Sequence, residues 1–234
     1  MIANRFVDQQ GIYLLSHSVG LPLKSSLAGA YNAFWQPWLG ADEQIWNHWL
    51  EQIERFRDQL GLLLNSDSCN FCPQTTISSA VNKIIFSLSA RSDKNIILMS
   101  EEDFPSVAYA LQQACRLDYQ VRYIPAGLDL NDMSIWDEYL TDDVALVLIT
   151  QVQSNNGVQL PVDAITEIAA HRSIRSIVDI AQAIGILPID IQTGSADFIV
   201  GSCVKWLSGG PGAAFLWVSP DIIEQCHPQN VGWF

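Results

Sequence analysis

An α/β fold is predicted: three layers, with helices on both faces of a mostly parallel central sheet. Three observations carry this. The apolar run Val144–Thr150 (VALVLIT) is continuous rather than alternating, as in strands covered on both faces. Stretches with apolar residues three to four apart separate such runs, as crossover helices do. Several runs also end in polar or glycine-containing segments, the side on which sheets of this kind hold ligands.

Residues 1–40 contain Gly11, Gly20, Pro22, Gly29, Pro37 and Gly40, which interrupt any period. This stretch reads as an irregular N-terminal arm lying on something else, and residues 41–234 as the domain proper. A helix is predicted over 42–64, because Ile45, Trp49, Ile53, Phe56, Leu60 and Leu63 share one face and Asp42 is placed to cap it. Helices follow over 78–88 and 106–117, a short one closes over 136–140, and another covers 162–170. The strands fall over 95–99, 120–124, 144–150, 176–180, 197–201 and 213–218. No internal repeat or low-complexity run is present.

Composition excludes several classes. The 234 residues carry 12 Lys plus Arg against 25 Asp plus Glu, a formal charge of −13. Such a balance argues against binding the phosphate backbone of nucleic acids, which needs clustered cations. The hydrophobic share is 49% and the charged share 16%, against about 25% charged in ordinary domains, so a core is affordable and disorder is not expected. No apolar run approaches the ~20 residues that cross a bilayer. The first ten residues show no export-signal pattern, and five cysteines make an odd, scattered set. A reducing, cytoplasmic setting is the expectation. Cys69 and Cys72 form a C-x-x-C pair without a second pair or a histidine cluster, and read as core thiols. His48, His171 and His227 have no evident partners. Trp35, Trp38, Trp46 and Trp49 crowd the start of the chain with Tyr31 and Phe34. They read as a contact between subunits, with core packing as the alternative.

Three places gather chemistry. Asp179 closes a buried strand, where a carboxylate needs a positive partner or a turn to cap. Lys205 lies in an apolar run before Gly209-Gly210-Pro211-Gly212; a desolvated lysine becomes a nucleophilic amine, whereas a snorkelling one does not. No Gly-Lys-Ser/Thr follows, so a nucleotide loop is not indicated. Thr75, Thr76, Ser78, Ser79 and Ala80 open a helix, and hydroxyls with free N–H groups there suit an anion. Each has a bland structural reading alone. Together, an anion cradle, a strand-end carboxylate and a lone buried amine match what pyridoxal phosphate requires.

The residues Val178 to Gly185, then Pro188-Ile189-Asp190, Ala196-Asp197-Phe198 and Lys205-Trp206-Leu207 with its glycine turn, resemble the class V aminotransferase family. Within it the chain is similar to the kynureninase-like branch. Phe104-Pro105-Ser106 resembles that branch's FPSD motif, Val231-Gly232-Trp233-Phe234 its GWFGH motif, and His17-Ser18-Val19-Gly20 its asparagine-serine-leucine-glycine turn. The resemblance implies a fold type I large domain that binds pyridoxal 5'-phosphate as a Schiff base on Lys205, acts on a small amino-acid substrate and pairs as a homodimer. It places Asp179 at the ring nitrogen, Gln182 near the ring hydroxyl and Phe104 over the ring. Ser78 and Ser79 fall at the phosphate, with Ala80 as the alternative within that turn. Thr150 falls at a strand-end hydroxyl position, and Trp233 on the cofactor. Val107 replaces the Asp of FPSD, Gln182 a histidine, and Val204 a tyrosine before the lysine. These departures leave the reaction open among kynurenine-like hydrolysis, desulfuration, transamination and epimerisation. Family members carry a further C-terminal small domain, which is expected to be absent from these 234 residues. A non-catalytic remnant or interaction protein that keeps the large-domain fold is the rival reading.

Overall fold

A computed structural model describes residues 5–89, 93–229 and 231. One seven-stranded sheet organises it. Its strands are β1 (Phe71–Gln74), β2 (Ile96–Ser100), β3 (Gln120–Ile124), β4 (Val144–Thr150), β5 (Arg175–Asp179), β6 (Phe198–Ser202) and β7 (Ala214–Val218). The spatial order is β1-β7-β6-β5-β4-β2-β3. Strands β2 to β6 run parallel, and β7 lies antiparallel between β6 and β1. From β2 the chain goes to one side for β3 and crosses to the other for β4, so the order reverses at β2.

Alternate side chains explain why the strands lack polar positions. On one face Met99, Leu146, Leu148, Ile177, Phe198, Val200 and Leu216 meet α4 (Ile77–Ile85) and α5 (Pro105–Gln112). On the other, Leu98, Val147 and Ile149 meet α6 (Met133–Tyr139) and α7 (Val162–His171). There too Val178, Ile199, Phe215 and Trp217 meet Leu60 and Leu64 of α3 (Ile45–Leu64). Both faces are covered, so period-two alternation vanishes. Buried Trp136 satisfies its indole N–H on the Leu130 carbonyl at 2.9 Å.

Five expectations need correction. The arm is not irregular throughout: α1 (Lys24–Ala30) runs through a π-helical segment (Tyr31–Trp35) into α2 (Gln36–Leu39). Pro37 is accommodated directly after the π-helical segment, where the helical bonding has already shifted register. Strand β1 was not anticipated, because four residues containing Pro73 carry little pattern; a proline is tolerated there since β1 is an edge. Cys69 is exposed and Cys72 half-buried, so they are not core thiols. Asp42 does not cap α3; it accepts from the Gln44 N–H at 2.7 Å and faces His48 at 3.2 Å. His48 therefore has a partner, and His171 lies 3.9 Å from Glu167.

The aromatic residues of the arm and α3 pack on one another. Phe34 and Trp49 stack at 5.0 Å, Trp35 and Trp38 at 5.6 Å, and Trp46 meets Trp49 edge-on. About half of Trp38 and Trp46 stays exposed, at 52% and 51%. Among the described residues, no helix is long and apolar enough to cross a membrane.

Gly201 on β6 faces Phe215 of β7, and an added Cβ would lie 2.3 Å from the ring's Cζ. Phe215 is fully buried, so the ring has nowhere to go. Gly201→Ala is expected to destabilise the fold by ~1–3 kcal/mol. Gly29, in α1 with open space around it, gives the opposite result: Gly29→Ala is expected to stabilise by ~0.5–1 kcal/mol. Urea unfolding of both variants beside the parent checks the pair.

Candidate active site

The C-terminal ends of the parallel strands converge on one cavity of about 630 Å³. Strand register brings them together. Thr150 at the end of β4 is level with Asp179 at the end of β5, and Asp179 with Val200 of β6. Because β7 runs antiparallel, its first residue Ala214 pairs with both Ser202 of β6 and Gln74 of β1. The turn from β1 into α4 thereby opens on the same edge as the turn that carries Lys205.

Asp179 is 4% exposed, and its Oδ1 accepts from the Ala181 N–H at 2.8 Å. Burial pushes its carboxyl up to about 6, against the Ala181 bond and the attraction of Lys205. Lys205 is half-buried, and desolvation pulls its ammonium down while Asp179 pulls it up. Its Nζ lies 5.6 Å from the centroid of the Phe104 ring. Among the described residues, Lys205 is the sole Lys or Arg on the cavity wall.

The lysine turn is tied from both sides. The Cys203 N–H donates to the Ala213 carbonyl at 2.9 Å, and the Gly209 N–H to the Cys203 carbonyl at 2.8 Å. From the N-terminal arm the Gly20 N–H donates to the Val204 carbonyl at 2.8 Å. A Cβ on Gly20 would stand 2.0 Å from the Lys205 carbonyl oxygen, so a side chain cannot be admitted there. Gln182 joins the two segments. Its Nε2 donates to the His17 carbonyl at 2.9 Å, and its Oε1 accepts from the Trp206 indole N–H at 2.8 Å.

The start of α4 is capped reciprocally. The Thr76 hydroxyl accepts from the Ser79 N–H at 3.0 Å, and the Ser79 hydroxyl oxygen accepts from the Thr76 N–H at 3.2 Å. The Ala80 N–H goes to the Thr76 carbonyl. The N–H groups of Ile77 and Ser78 have no bond to the described residues, and both residues line the cavity. A helix start in this state presents donors and positive partial charge to an anion.

Of the residues singled out from sequence, Lys205, Asp179, Gln182, Phe104, Ser78 and Thr150 line this one cavity. Ser79 and Ala80 do not. Ser79 spends its hydroxyl inside the capping box and on Gln74, and Ala80 is fully buried under the sheet. Thr75, Thr76 and Ile77 take their place on the wall. Trp233 lies outside the described residues. Val107 and Val204 also line the cavity, so the departures from FPSD and from the tyrosine before the lysine leave apolar wall where polar groups were expected. Two contributors went unread in the sequence. Ala181 reaches the wall because it follows Asp179 by two residues in the turn that Asp179 caps. Asp103, behind the wall, is the other. It stands just past a strand end as Asp179 does, but the run Glu101-Glu102-Asp103 reads as solvated charge.

Comparison with known proteins agrees with this geometry. The family described as Aminotransferase class-V matches residues 42–233. A kynureninase of Pseudomonas fluorescens is 26% identical over 234 residues, covering 95% of this chain and 55% of the relative. A kynureninase of Deinococcus radiodurans is 31% identical over 188 residues, covering 79% of this chain and 44% of the relative. The chain thus spans about half the length of these curated relatives. Among solved structures, a mutant of C-DES with glycine covalently linked to its PLP cofactor superposes with a TM-score of 0.85 at 21% identity. The match covers 93% of this chain and 59% of that one. A cysteine desulfurase of Thermococcus onnurineus gives a TM-score of 0.81 at 17% identity, covering 95% and 57%. These likenesses establish the fold, the fold type I arrangement expected from the sequence.

The raised pKa of Asp179 has a consequence for the ligand-stripped chain. Its folded value, about 6, exceeds the usual 3.8, so the ionised carboxylate opposes folding. That penalty is absent below the usual value, grows as pH rises toward 6, and is complete above it. Asp179→Asn removes it. The variant is expected to gain ~2–3 kcal/mol at pH 7.5 and almost nothing at pH 4. Urea unfolding of both chains at the two pH values is the check.

Proposed function

The chain belongs to the class V aminotransferase family, and from that premise we propose that its cavity holds pyridoxal 5'-phosphate for work on an amino-acid substrate. One observation carries the reading: a fully buried carboxylate, Asp179, and a desolvated amine, Lys205, face a common cavity whose third side is an open helix start. The cavity volume of about 630 Å³ suits a small ligand, since such sites span roughly 300–1,000 Å³. The donor set fits the cofactor at both ends. An anion belongs at Ile77 and Ser78, and a cationic ring nitrogen belongs at Asp179. When bound, the cofactor supplies an electron sink beside the carbon that bears the substrate's amino group.

The protein's own residues have separate tasks. Asp179 holds a proton at the ring nitrogen, because a carboxylate with one oxygen on the Ala181 N–H and the other side toward the cavity is relieved by a positive neighbour. Lys205 would hold the cofactor's aldehyde end, and its Nζ, with the ammonium destabilised by burial, would move protons at the substrate carbon. Phe104 and Ala181 on the cavity wall would hold the ring. Thr75, Thr76, Ile77 and Ser78 receive the phosphate. Gln182 is anchored at both ends of its amide, so it presents a fixed edge to the ring hydroxyl. Thr150 closes the wall beside Asp179.

The kynureninase relatives favour a carbon–carbon hydrolysis of a kynurenine-like amino acid; desulfuration and transamination use the same apparatus. Val107 and Val204 give the substrate side of the cavity an apolar character. The exposed aromatic surface of the arm and α3 is read as the contact to a second copy, in keeping with the homodimer that the family resemblance implies.

Incubating the chain with pyridoxal 5'-phosphate and reducing with borohydride is expected to fix one pyridoxyl group per chain on the peptide containing Lys205, found by mass spectrometry. Lys205→Ala is expected to incorporate none. Equal labelling of parent and variant, or none in the parent, would overturn the proposal and leave a non-catalytic protein that keeps the fold.

A further inference from the structure

Behind the cavity wall lies a second buried carboxylate. Asp103 is 6% exposed and follows the end of β2. Its Oδ2 accepts from the Ser100 N–H at 2.8 Å and its Oδ1 from Gln153 Nε2 at 3.0 Å, with the Thr150 side chain beside it. An amide N–H and an amide NH₂ can only donate, so both carboxylate oxygens are committed as acceptors. Gln153 keeps its bond although its own Oε1 is buried with no partner among the described residues. The two bonds favour the ionised form, against burial, which raises the proton affinity of Asp103.

Thr150 connects this group to the site, since it is level with Asp179 on the neighbouring strand. The two carboxylates sense one another: Asp103 raises the proton affinity of Asp179. Charge does not balance here. Two buried carboxylates stand against one ammonium, that of Lys205, and neither carboxylate has an ion-pair partner within 4.0 Å among the described residues. A ligand that becomes cationic on the Asp179 side restores the balance.

We propose that Asp103 is a positioning residue for the ring-nitrogen proton, acting through Thr150 and as a second negative charge behind Asp179. This rests on the cofactor reading above. Its ligand is the protonated pyridine ring, and it does not touch that ring. The charge has to be kept in place, because an unpaired carboxylate buried this deeply is tolerated only where its oxygens are fully bonded.

The test separates charge from scaffolding. Asp103→Asn keeps an acceptor for the Ser100 N–H and removes the charge, and its new NH₂ is met by Gln153 when that amide turns its unpartnered Oε1 inward. Binding of two ligands to the ligand-stripped full chain is followed by equilibrium dialysis: pyridoxal 5'-phosphate, and its analogue with CH in place of the ring nitrogen. Asp103→Asn is expected to weaken the cofactor about tenfold and to leave the analogue within about twofold of the parent. Equal weakening of both ligands would make Asp103 a merely structural residue, and weakening of neither would make it idle; both results overturn the inference while leaving the cofactor reading intact. A parent chain that binds neither ligand overturns the cofactor reading and the inference with it. Should Asp103→Asn fail to fold, Thr150→Val goes through the same comparison. It removes the polar group beside both carboxylates instead of the charge and is expected to show the same preference at about threefold.

Discussion

The site depends on one electrostatic arrangement: a carboxylate buried in an apolar sheet end, facing the same cavity as an amine and, among the described residues, with no other Lys or Arg on the cavity wall. Neither group is comfortable. Burial disfavours the charge on each, and their separation across the cavity gives only partial relief. Frustration of this kind is worth maintaining only where a ligand resolves it. The rest of the fold keeps the two groups in that condition. The helices on both sheet faces exclude water from Asp179, and the glycine turn after β6 keeps Lys205 half-buried beside Phe104.

The parallel sheet makes the arrangement possible. Parallel strands end on the same edge, so residues distant in sequence become level neighbours: Thr150 with Asp179, and Ser202 and Gln74 across Ala214. The single antiparallel strand β7 extends this edge to β1 and so brings the start of α4 to the far side of the cavity. The open helix start and the buried carboxylate thereby line one space. No loop has to reach across the molecule to do it.

Much of this was legible from residue order. Continuous apolar strands announced a sheet covered on both sides, and the strand ends announced Asp179 and Lys205. What escaped had specific causes. Strand β1 is too short, and its proline too misleading, to register as a strand. The helix over the arm was hidden by Gly29 and Pro37; neither breaks it, because the glycine is merely unfavourable and the proline follows a π-helical segment where the bonding has already shifted. Ser79 and Ala80 stand off the cavity wall, since sequence shows a run of hydroxyls but not which of them the capping box consumes. Asp103 was concealed by its acidic neighbours: three consecutive carboxylates look solvated, and only the third is folded inward.

The seat of Gly20 against the Lys205 turn has a bearing on assembly. A backbone contact between positions so far apart forms only after both segments have been synthesised and brought together by the sheet. The arm therefore waits for the turn it meets, and the amine acquires its final surroundings when the two dock.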